Sequence, residues 1–231
     1  MKVLLAWSSG KDCAWSLHVL RRQNIEVSGL LTTLNEAADR VAMHGVRRTL
    51  LEAQSEAAGI PLWQVPLPWP CTNDEYEARM AGACRRAVAE GFDTIAFGDL
   101  FLRDIRAYRE RQLAGSGLTP IFPLWELPTA ALARDMIAGG LRARLTCVDS
   151  RQLDPAFSGR EFDAALLADL PPSVDPCGEN GEFHTFAYAG PMFRAPIAVE
   201  PGEVRNAEGF IYTDLMPGPV QKHPSLESPL C

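Results

Sequence analysis

The sequence predicts an α/β protein: a parallel sheet with helices on both faces, followed by a smaller, loop-rich α+β part. Strand and helix patterns alternate through the first two thirds of the 231 residues, the order typical of such a sheet. An apolar run at residues 3–7 predicts a buried first strand, and a turn of small residues follows it. Cys13, Leu17 and Leu20 then share one face of a predicted helix. After Asp149 prolines and glycines become frequent, which indicates a change of architecture.

The remaining elements follow from periodicity and from local start and stop signals. The second predicted helix, at residues 43–58, ends at Gly59 and Pro61. Thr72 and Glu75 form a capping box that opens the third helix, and Gly91 ends that helix. Strands are predicted at residues 26–34, 62–65, 94–97, 121–124, 141–148, 183–188, 197–199 and 209–213, and further helices at 43–58, 102–114, 129–138 and 162–170. We expect one domain over residues 1–125, a subdomain over 126–216 and a mobile tail over 217–231.

Composition restricts the class of protein. Hydrophobic residues make up 47% and charged residues 22%, which is ordinary for a soluble globular chain. A net charge of −7 argues against broad nucleic-acid binding, which usually needs a basic face. No apolar run approaches the roughly 18 residues of a membrane span, and the apolar start lacks a signal cleavage site. The six cysteines form no C-x-x-C pair, so we expect a reduced, cytoplasmic protein without a zinc site.

The turn after the first strand has the composition of an anion site. It consists of Ser8, Ser9, Gly10, Lys11, Asp12 and Cys13. Backbone N–H groups at a helix N-terminus attract anions, and the lysine adds a full positive charge. The ATPase loop G-x-x-x-x-G-K-[ST] does not fit, because Leu5 and Asp12 stand where it needs Gly and Ser or Thr, and G-x-G-x-x-G fails as well. An ordinary small-residue turn is the alternative.

A second motif combines many reactive side chains in the C-terminal part. The motif consists of ten consecutive residues: Cys177, Gly178, Glu179, Asn180, Gly181, Glu182, Phe183, His184, Thr185 and Phe186. If residues 183–188 form a strand, Glu182 and His184 point to the same side and can act as a pair. Its glycines permit sharp turns or close approach of a ligand. The alternative is a glycine-rich hairpin with polar turn residues.

These motifs together resemble a known family. The 8–13 turn, Gly98-Asp99 followed by Arg106-Ala107-Tyr108-Arg109, Pro123-Leu124-Trp125, the 178–186 motif and Gly190-Pro191-Met192-Phe193 occur in this order. The chain therefore resembles the diphthine–ammonia ligase family, within the adenine-nucleotide alpha-hydrolase-like ATP pyrophosphatases, up to about residue 197. Their pyrophosphate loop has the pattern S-G-G-x-D-S, from which Ser9 and Cys13 depart. The resemblance implies a HUP-type (Rossmann-like) sheet that carries ATP, and a smaller domain that completes a cleft.

The resemblance and the chemistry of the side chains together give expected roles for particular residues. Ser8 to Cys13, with Gly98 and Asp99, are expected to bind ATP, and Asp12 or Asp99 is expected to contact Mg²⁺. His44 follows the second strand, where adenine often docks in this fold; an exposed histidine at a helix start is the alternative. Catalytic roles are expected for Glu179, Asn180, Glu182 and His184, with His184 the most suitable base because of its ordinary pKa. Substrate contacts are expected from Arg106, Arg109, Gly178, Gly181 and Thr185.

The implied reaction adenylates a carboxylate and transfers ammonia to it, releasing AMP and pyrophosphate. Its partners are ATP, ammonium from solution or from another protein, and an unidentified carboxylate acceptor. That acceptor is diphthine on translation elongation factor two only if the source organism makes diphthamide. Two alternatives remain: a tRNA-modifying ATP pyrophosphatase, against which the acidic charge counts, and an adenine-nucleotide sensor without turnover. Cys177 would be a nucleophile in a sulfur-transfer enzyme, but we favour a buried or incidental thiol.

Overall fold

The computed structural model describes residues 1–219 and contains a six-stranded sheet at the N-terminal end of the chain. Its strands are β1 (Val3–Ala6), β2 (Val27–Asn35), β3 (Arg40–Val41), β4 (Leu62–Leu67), β5 (Thr94–Ala96) and β6 (Thr119–Ile121). All their pairings are parallel except that of β3 with β2. The predicted parallel sheet is therefore confirmed, with the order β4-β2-β1-β5-β6 through its parallel strands.

Strand β3 lies directly beyond the carboxyl end of β1. On one edge of β2, β1 pairs with residues as far as Leu31, and on the other edge β4 pairs with residues as far as Asn35. Since β3 pairs with Leu34 and Asn35, it occupies the edge that β1 leaves after its last residue. The turn that follows β3 is thereby held over the end of the first strand.

Six α-helices accompany the two sheets within the described residues. They are α1 (Lys11–Arg22), α2 (Arg48–Ala58), α3 (Asn73–Ala89), α4 (Arg103–Leu113), α5 (Thr129–Ala138) and α6 (Ala164–Asp169), with a 3₁₀ turn at Pro155–Phe157. The predicted capping box is present at α3, where Thr72 accepts from the Glu75 N–H and Glu75 accepts from the Thr72 N–H. Gly59 ends α2 in the left-handed conformation, with φ 67°.

The C-terminal part is a four-stranded antiparallel sheet. Its strands are β7 (Arg142–Asp149), β8 (Phe183–Ala189), β9 (Val199–Ala207) and β10 (Phe210–Pro217), in the order β8-β7-β10-β9. Helix α1 packs against β8, and one core cluster includes both Leu17 of α1 and Phe186 of β8. The second sheet therefore lies on the helix that follows the 8–13 turn.

Several predicted boundaries differ from the structure. The helix expected at 43–58 begins only at Arg48, because residues 42–45 form a turn in which Met43 and Gly45 have φ values of 62° and 66°. The strand expected at 121–124 lies at 119–121, and the strand expected at 197–199 runs from 199 to 207. The strand predicted at 141–148 is present as β7, but in the antiparallel sheet.

Two further expectations concern the tail and membranes. The tail predicted at 217–231 lies outside the described residues apart from its first three positions, and Pro217 ends β10. Within residues 1–219 no helix combines the length and the apolar character that crossing a bilayer requires.

Candidate active site

The 8–13 loop joins the carboxyl end of β1 to the N-terminus of α1. Gly10 is the N-cap residue of α1, and the first amides of a helix have no acceptor within it. Gly98 packs directly on the loop, since a Cβ at that position would lie 3.0 Å from the Cys13 amide nitrogen. The loop and the Gly98-Asp99 turn are thus adjacent, as their positions at neighbouring strand ends predict.

Ser9 has the backbone conformation that explains why related loops carry glycine there. Its φ is 71°, in the left-handed region that a side chain disfavours. The Ser9 side chain is fully buried, and its Oγ has no hydrogen-bond partner among residues 1–219. The departure from glycine therefore leaves both a strained backbone and an unpaired hydroxyl in the loop.

Strand β8 is hydrogen-bonded to the same loop. The Lys11 N–H donates to Thr185 Oγ1 at 3.0 Å, although the two residues are 174 positions apart in sequence. The Ala187 N–H donates to the Ser9 carbonyl at 3.0 Å. The two motifs singled out in the sequence are therefore assembled in one place.

Lys11 is buried, and its ammonium points at the second motif. Only 2% of Lys11 is exposed; Nζ lies 2.8 and 2.9 Å from the two carboxylate oxygens of Asp12 and also donates to the Cys177 carbonyl. The rings of Phe162 and Phe183 lie 5.5 and 5.6 Å from Nζ. Burial alone would lower the pKa of Lys11, but the negative groups around it, Asp12 first, raise it above its ordinary value. The positive charge is thus fixed at the junction of the two motifs.

Glu179 connects the second motif to the segment after Asp99. Its Oε1 accepts from the Leu100 N–H at 2.7 Å and from the Phe101 N–H at 3.4 Å. Burial raises the pKa of Glu179 to about 7; the nearby Asp12 and Asp99 add to this rise, and the Leu100 hydrogen bond opposes it. A carboxyl group with a pKa near neutrality is suited to general acid–base catalysis.

Glu182 has one satisfied and one unsatisfied carboxylate oxygen. Oε1 accepts from the Asp175 N–H and from Asn180 Nδ2, both at 2.9 Å. Oε2 is buried and has no partner within the part of the chain that the structure describes. Because a buried carboxylate oxygen without a donor is costly, this atom is suited to a small ligand that donates hydrogen bonds.

The histidines His44 and His184 lie side by side, with ring centroids 4.7 Å apart. His44 Nδ1 hydrogen-bonds to the Thr185 carbonyl at 2.9 Å, and a Cβ on Gly10 would lie 2.8 Å from His44 Cε1. The alternative of an exposed histidine at a helix start is therefore wrong. Burial lowers the pKa of His44 to about 3 and that of His184 to about 4. Both rings are neutral at pH 7, so His184 is a weaker base than its ordinary pKa suggested.

Asp99 and the two predicted arginines have separate partners. Arg109 holds Asp99 in a bidentate ion pair, with distances of 2.6 and 3.0 Å. Arg106 instead pairs with Glu110 at 2.8 Å and stacks on the rings of Phe122 and Trp125. The structure thus brings Arg109 to the site through Asp99, and directs Arg106 to other partners.

The carboxylates expected to contact Mg²⁺ are both paired with cations. Asp12 pairs with Lys11 and Asp99 with Arg109, and residues 1–219 contain no cluster of three or more His, Cys, Asp or Glu side chains that would hold a metal ion. The two carboxylates would therefore supply few of the ligands of Mg²⁺, and phosphate oxygens and water would supply most of them.

The remaining residues of the second motif shape its backbone. Gly178 and Gly181 have φ values of 69° and 83°, and a Cβ on Gly178 would lie 2.8 Å from the Phe183 carbonyl oxygen. Burial raises the pKa of the Cys177 thiol to about 12, which agrees with the buried thiol favoured above. Burial likewise raises the pKa of Cys13 to about 11, and its Sγ donates to the Gly10 carbonyl.

Gln54 is a residue of the site that the sequence interpretation missed. This fully buried side chain of α2 donates to the carbonyls of Ser9 (2.9 Å) and Ala187 (2.6 Å), and it accepts from Trp7 Nε1 at 2.8 Å. The signal was present: Gln54 lies four positions from both Leu50 and Ala58 on the buried face of α2. A lone amide on an apolar helix face needs buried partners.

The parallel sheet with its helices defines an α/β protein of the Rossmann-like class, with two motifs brought together at the carboxyl edge of that sheet. The chain belongs to the diphthamide synthase family. A family model described as the diphthamide synthase N-terminal domain matches residues 1–120, and one described as the C-terminal domain matches residues 128–215.

The chain is also similar to vertebrate proteins. A protein of Bos taurus and one of Homo sapiens, both named diphthine–ammonia ligase, are each 24% identical over 234 residues, covering 91% of this chain and 88% of the relative. A Danio rerio protein of the same name is 25% identical over 225 residues and covers 88% of each chain.

Proposed function

We propose that this protein is an ATP-dependent amide ligase that adenylates a carboxylate, transfers ammonia to it, and releases AMP and pyrophosphate. The observation that carries the proposal is the meeting of the second motif with the 8–13 loop at the buried Lys11 ammonium, which donates to the Cys177 carbonyl. Glu179 of the same motif is bound to the segment after Asp99. Membership of the diphthamide synthase family, and the names of its relatives, support the same reaction.

The 8–13 loop binds the β and γ phosphates of ATP in this proposal. The first amides of α1 supply donors, and the helix dipole favours the phosphate charge. Lys11, the first residue of α1, offsets with its charge the negative charge that develops on the departing pyrophosphate. Asp12 and Asp99 are the residues that would hold Mg²⁺, an ion that neutralises charge on phosphate oxygens. His44 closes the loop over Gly10.

Adenylation is needed because a carboxylate oxygen is a poor leaving group. In the first step the acceptor carboxylate attacks the α phosphorus, and the bond to the oxygen that bridges to the β phosphate breaks. Pyrophosphate leaves, and the acyl carbon is now joined to AMP, which departs readily. The protein contributes orientation and fixed positive charge to this step.

Ammonium is held and deprotonated by the second motif. The unpaired Oε2 of Glu182 accepts a hydrogen bond from the cation, while Asn180 fixes the other oxygen. Glu179, with a pKa of about 7, takes the proton that ammonium loses. Ammonia attacks the acyl carbon, the bond to AMP breaks, and the amide forms. His184 is neutral at pH 7 because burial lowers its pKa to about 4, so in this proposal Glu179 is the base in its place.

The other assigned roles are part of the same proposal. Gly178, Gly181 and Thr185 shape the wall that the acceptor meets, and Arg109 orients Asp99. Residues 1–125 form the ATP-binding part and residues 126–216 the catalytic part. The proposed location is the cytoplasm. The acceptor is an unidentified carboxylate, and a carboxylate on a translation factor is one candidate.

The test is product analysis with α-labelled ATP, Mg²⁺ and ammonium, using small-molecule and protein fractions of the source cell. We expect ammonium-dependent AMP from one fraction and none with Glu182→Ala, which keeps ATP binding. Tight ATP binding without AMP from any fraction would overturn the ligase and favour the sensor. AMP release that depends on tRNA instead of ammonium would favour the tRNA-modifying enzyme.

A further inference from the structure

Asp175 lies just before the second motif, and both its backbone and its side chain are hydrogen-bonded to that motif. Its N–H donates to Glu182 Oε1 at 2.9 Å. Its Oδ2 accepts from the N–H of Cys177 at 3.1 Å and from the N–H of Glu179 at 3.0 Å. Its carbonyl accepts from the Gly178 N–H at 2.8 Å. A residue that the sequence interpretation did not select therefore holds the first half of the motif together.

The groups that Asp175 holds are those assigned to the reaction. The Cys177 carbonyl accepts from the buried Lys11 ammonium. The Glu179 side chain accepts from a backbone N–H of the N-terminal half at 2.7 Å. Glu182 has one carboxylate oxygen, Oε2, that is buried and without a donor among residues 1–219. Asp175 thus fixes the backbone from which all three groups extend.

The local sequence explains why the Asp175 carboxylate is available for this purpose. An aspartate before proline favours a turn, and its side chain accepts from the N–H two residues further on. Because Pro176 has no N–H and a fixed φ, the next donor along the chain is Cys177. The same carboxylate oxygen also accepts from the N–H of Glu179, the residue proposed above as the base.

A second aspartate–proline turn in the chain shows what is particular to Asp175. Asp154 also precedes a proline, and its side chain accepts from the Ala156 N–H at 2.8 Å. Asp154 is exposed and caps a 3₁₀ turn, and within residues 1–219 its carboxylate makes no other hydrogen bond. The turn is therefore a local property of the dipeptide, whereas the bond to Glu179 is found only at Asp175.

We propose that Asp175 is a positioning residue for the ammonia-transfer step, and that it sets the Glu179 and Glu182 carboxylates relative to each other. This inference rests on the ligase function proposed above. Asp175 itself touches no reactant. Its N–H occupies Oε1 of Glu182, which leaves Oε2 available to ammonium, and its carboxylate fixes the backbone of the base.

A small displacement of either carboxylate is enough to slow this step. Proton transfer needs the base within hydrogen-bond reach of the ammonium, and a misplacement of about 1 Å costs on the order of 10²-fold in rate. Without the Asp175 carboxylate, the N–H groups of Cys177 and Glu179 lose their acceptor and the loop relaxes towards water. The 8–13 loop keeps its own hydrogen bonds to β8, so ATP binding is affected much less.

The test compares Asp175→Ala with Asp175→Asn, which removes the charge but keeps an oxygen that accepts from the same N–H groups. AMP release is measured against ammonium and against ATP, with the acceptor fraction that supports turnover. Asp175→Ala should lower kcat/KM for ammonium by about 10–100-fold and leave the KM for ATP nearly unchanged. Asp175→Asn should retain most of the wild-type rate.

Asp154→Ala is the matched control, because it breaks the same local turn away from the site and should change neither kinetic parameter. A second readout needs no turnover: an NMR titration of the Glu179 carboxyl carbon, assigned with Glu179→Gln. The Glu179 pKa, which burial raises to about 7, should fall towards its ordinary value in Asp175→Ala, because the relaxed loop lets water reach the carboxyl. It should remain raised in Asp175→Asn.

If Asp175→Ala does not fold, Asp175→Ser takes its place with the same expected losses, since its short hydroxyl replaces only the turn bond to Cys177. Equal losses in the alanine and asparagine variants would overturn the proposal, because the charge and not the hydrogen bonds would then be the cause. An unchanged Glu179 pKa in Asp175→Ala would also overturn it, as would an equal loss in Asp154→Ala. If the wild type releases no AMP, the ligase function fails, and the Glu179 titration alone decides whether Asp175 positions that carboxyl.

Discussion

The backbone N–H of Lys11 donates a hydrogen bond to Oγ1 of Thr185 at 3.0 Å, and this bond joins the first turn of α1 to strand β8. Both residues are buried, with 2% of each exposed. The contact uses one of the amides that a helix leaves without an acceptor. It also fixes the distance between the loop that would hold phosphate and the strand that carries His184.

Thr185→Val should destabilise the protein. Valine has nearly the same shape as threonine but no hydroxyl, so the buried Lys11 N–H loses its acceptor. We expect a loss of about 1–3 kcal/mol in the free energy of unfolding, measured by urea denaturation. Thr185→Ser keeps the hydroxyl and is the control. It should retain ATP affinity, whereas the valine variant should lose part of it; equal behaviour of the two variants would contradict the role given to this bond.

Ser9→Gly should stabilise the protein, although most substitutions by glycine do the opposite. The φ of 71° at Ser9 costs a non-glycine residue about 1 kcal/mol, and the change also removes a buried hydroxyl that has no partner in the described part of the chain. We expect a rise in Tm of a few degrees, roughly what 1 kcal/mol gives a chain of this size. Ser28→Gly, within β2, is the comparison and should lower Tm. A lower Tm for Ser9→Gly would contradict the cost assigned here to the Ser9 backbone and hydroxyl.

Glu179 should make stability and activity depend on pH in opposite directions. Its pKa in the folded state is about 7, raised from its ordinary value of 4.5, chiefly by burial. The folded state therefore binds more protons than the unfolded state between those values, so the contribution of Glu179 to stability falls as pH rises through this window. AMP release should increase over the same range, because the ionised carboxylate is the base.

Glu179→Gln provides the matched measurement for that prediction. Urea denaturation from pH 4.5 to 8 should show the wild type losing stability relative to this variant as pH rises. The rise in AMP release near pH 7 should disappear in Glu179→Gln. Parallel stability curves for the two proteins would mean that the Glu179 carboxyl titrates as it does in water.

Gln54→Met should weaken the connection between α2, the 8–13 loop and β8. The change keeps the approximate volume but removes the side-chain donor to the Ala187 carbonyl, one of the two donors to the Ser9 carbonyl, and the acceptor of the Trp7 N–H. We expect a loss of about 3 kcal/mol in the free energy of unfolding, with weaker ATP binding. Gln64→Met removes only an exposed contact to Glu52 and should cost less than about 0.5 kcal/mol. Similar losses for the two variants would remove Gln54 from the support of the loop.

Local signals predicted most of the elements well. The capping box at Thr72 and Glu75 depends on neighbouring residues only, and it appears as expected at the start of α3. The start of α2 was misplaced because β3 and the turn at Met43 are formed by pairing with the end of β2, a contact between residues distant in sequence. Periodicity does not contain that information, so apolar Val46 was assigned to the helix.

The two motifs were recognisable because each is short and chemically unusual. The sequence did not reveal that the two motifs meet. Nor did it reveal that His44 and His184 are neutral or that the pKa of Glu179 is raised, because these properties result from burial by distant parts of the chain. Gln54 was overlooked for the same reason: a polar residue on an apolar face shows that partners exist, but not which ones they are.

The sequence by itself determined the alternation of strands and helices, the anion-type loop at residues 8–13, the carboxylate-rich motif at 177–186 and the resemblance to a family. These depend on local periodicity and on residues close together in the chain. Only the tertiary structure decided that Lys11 is buried between the two motifs, that one Glu182 oxygen has no donor among residues 1–219, and that a cavity adjoins the His44 turn. Desolvation and hydrogen bonding act through space, so they are set by how the two sheets pack on α1.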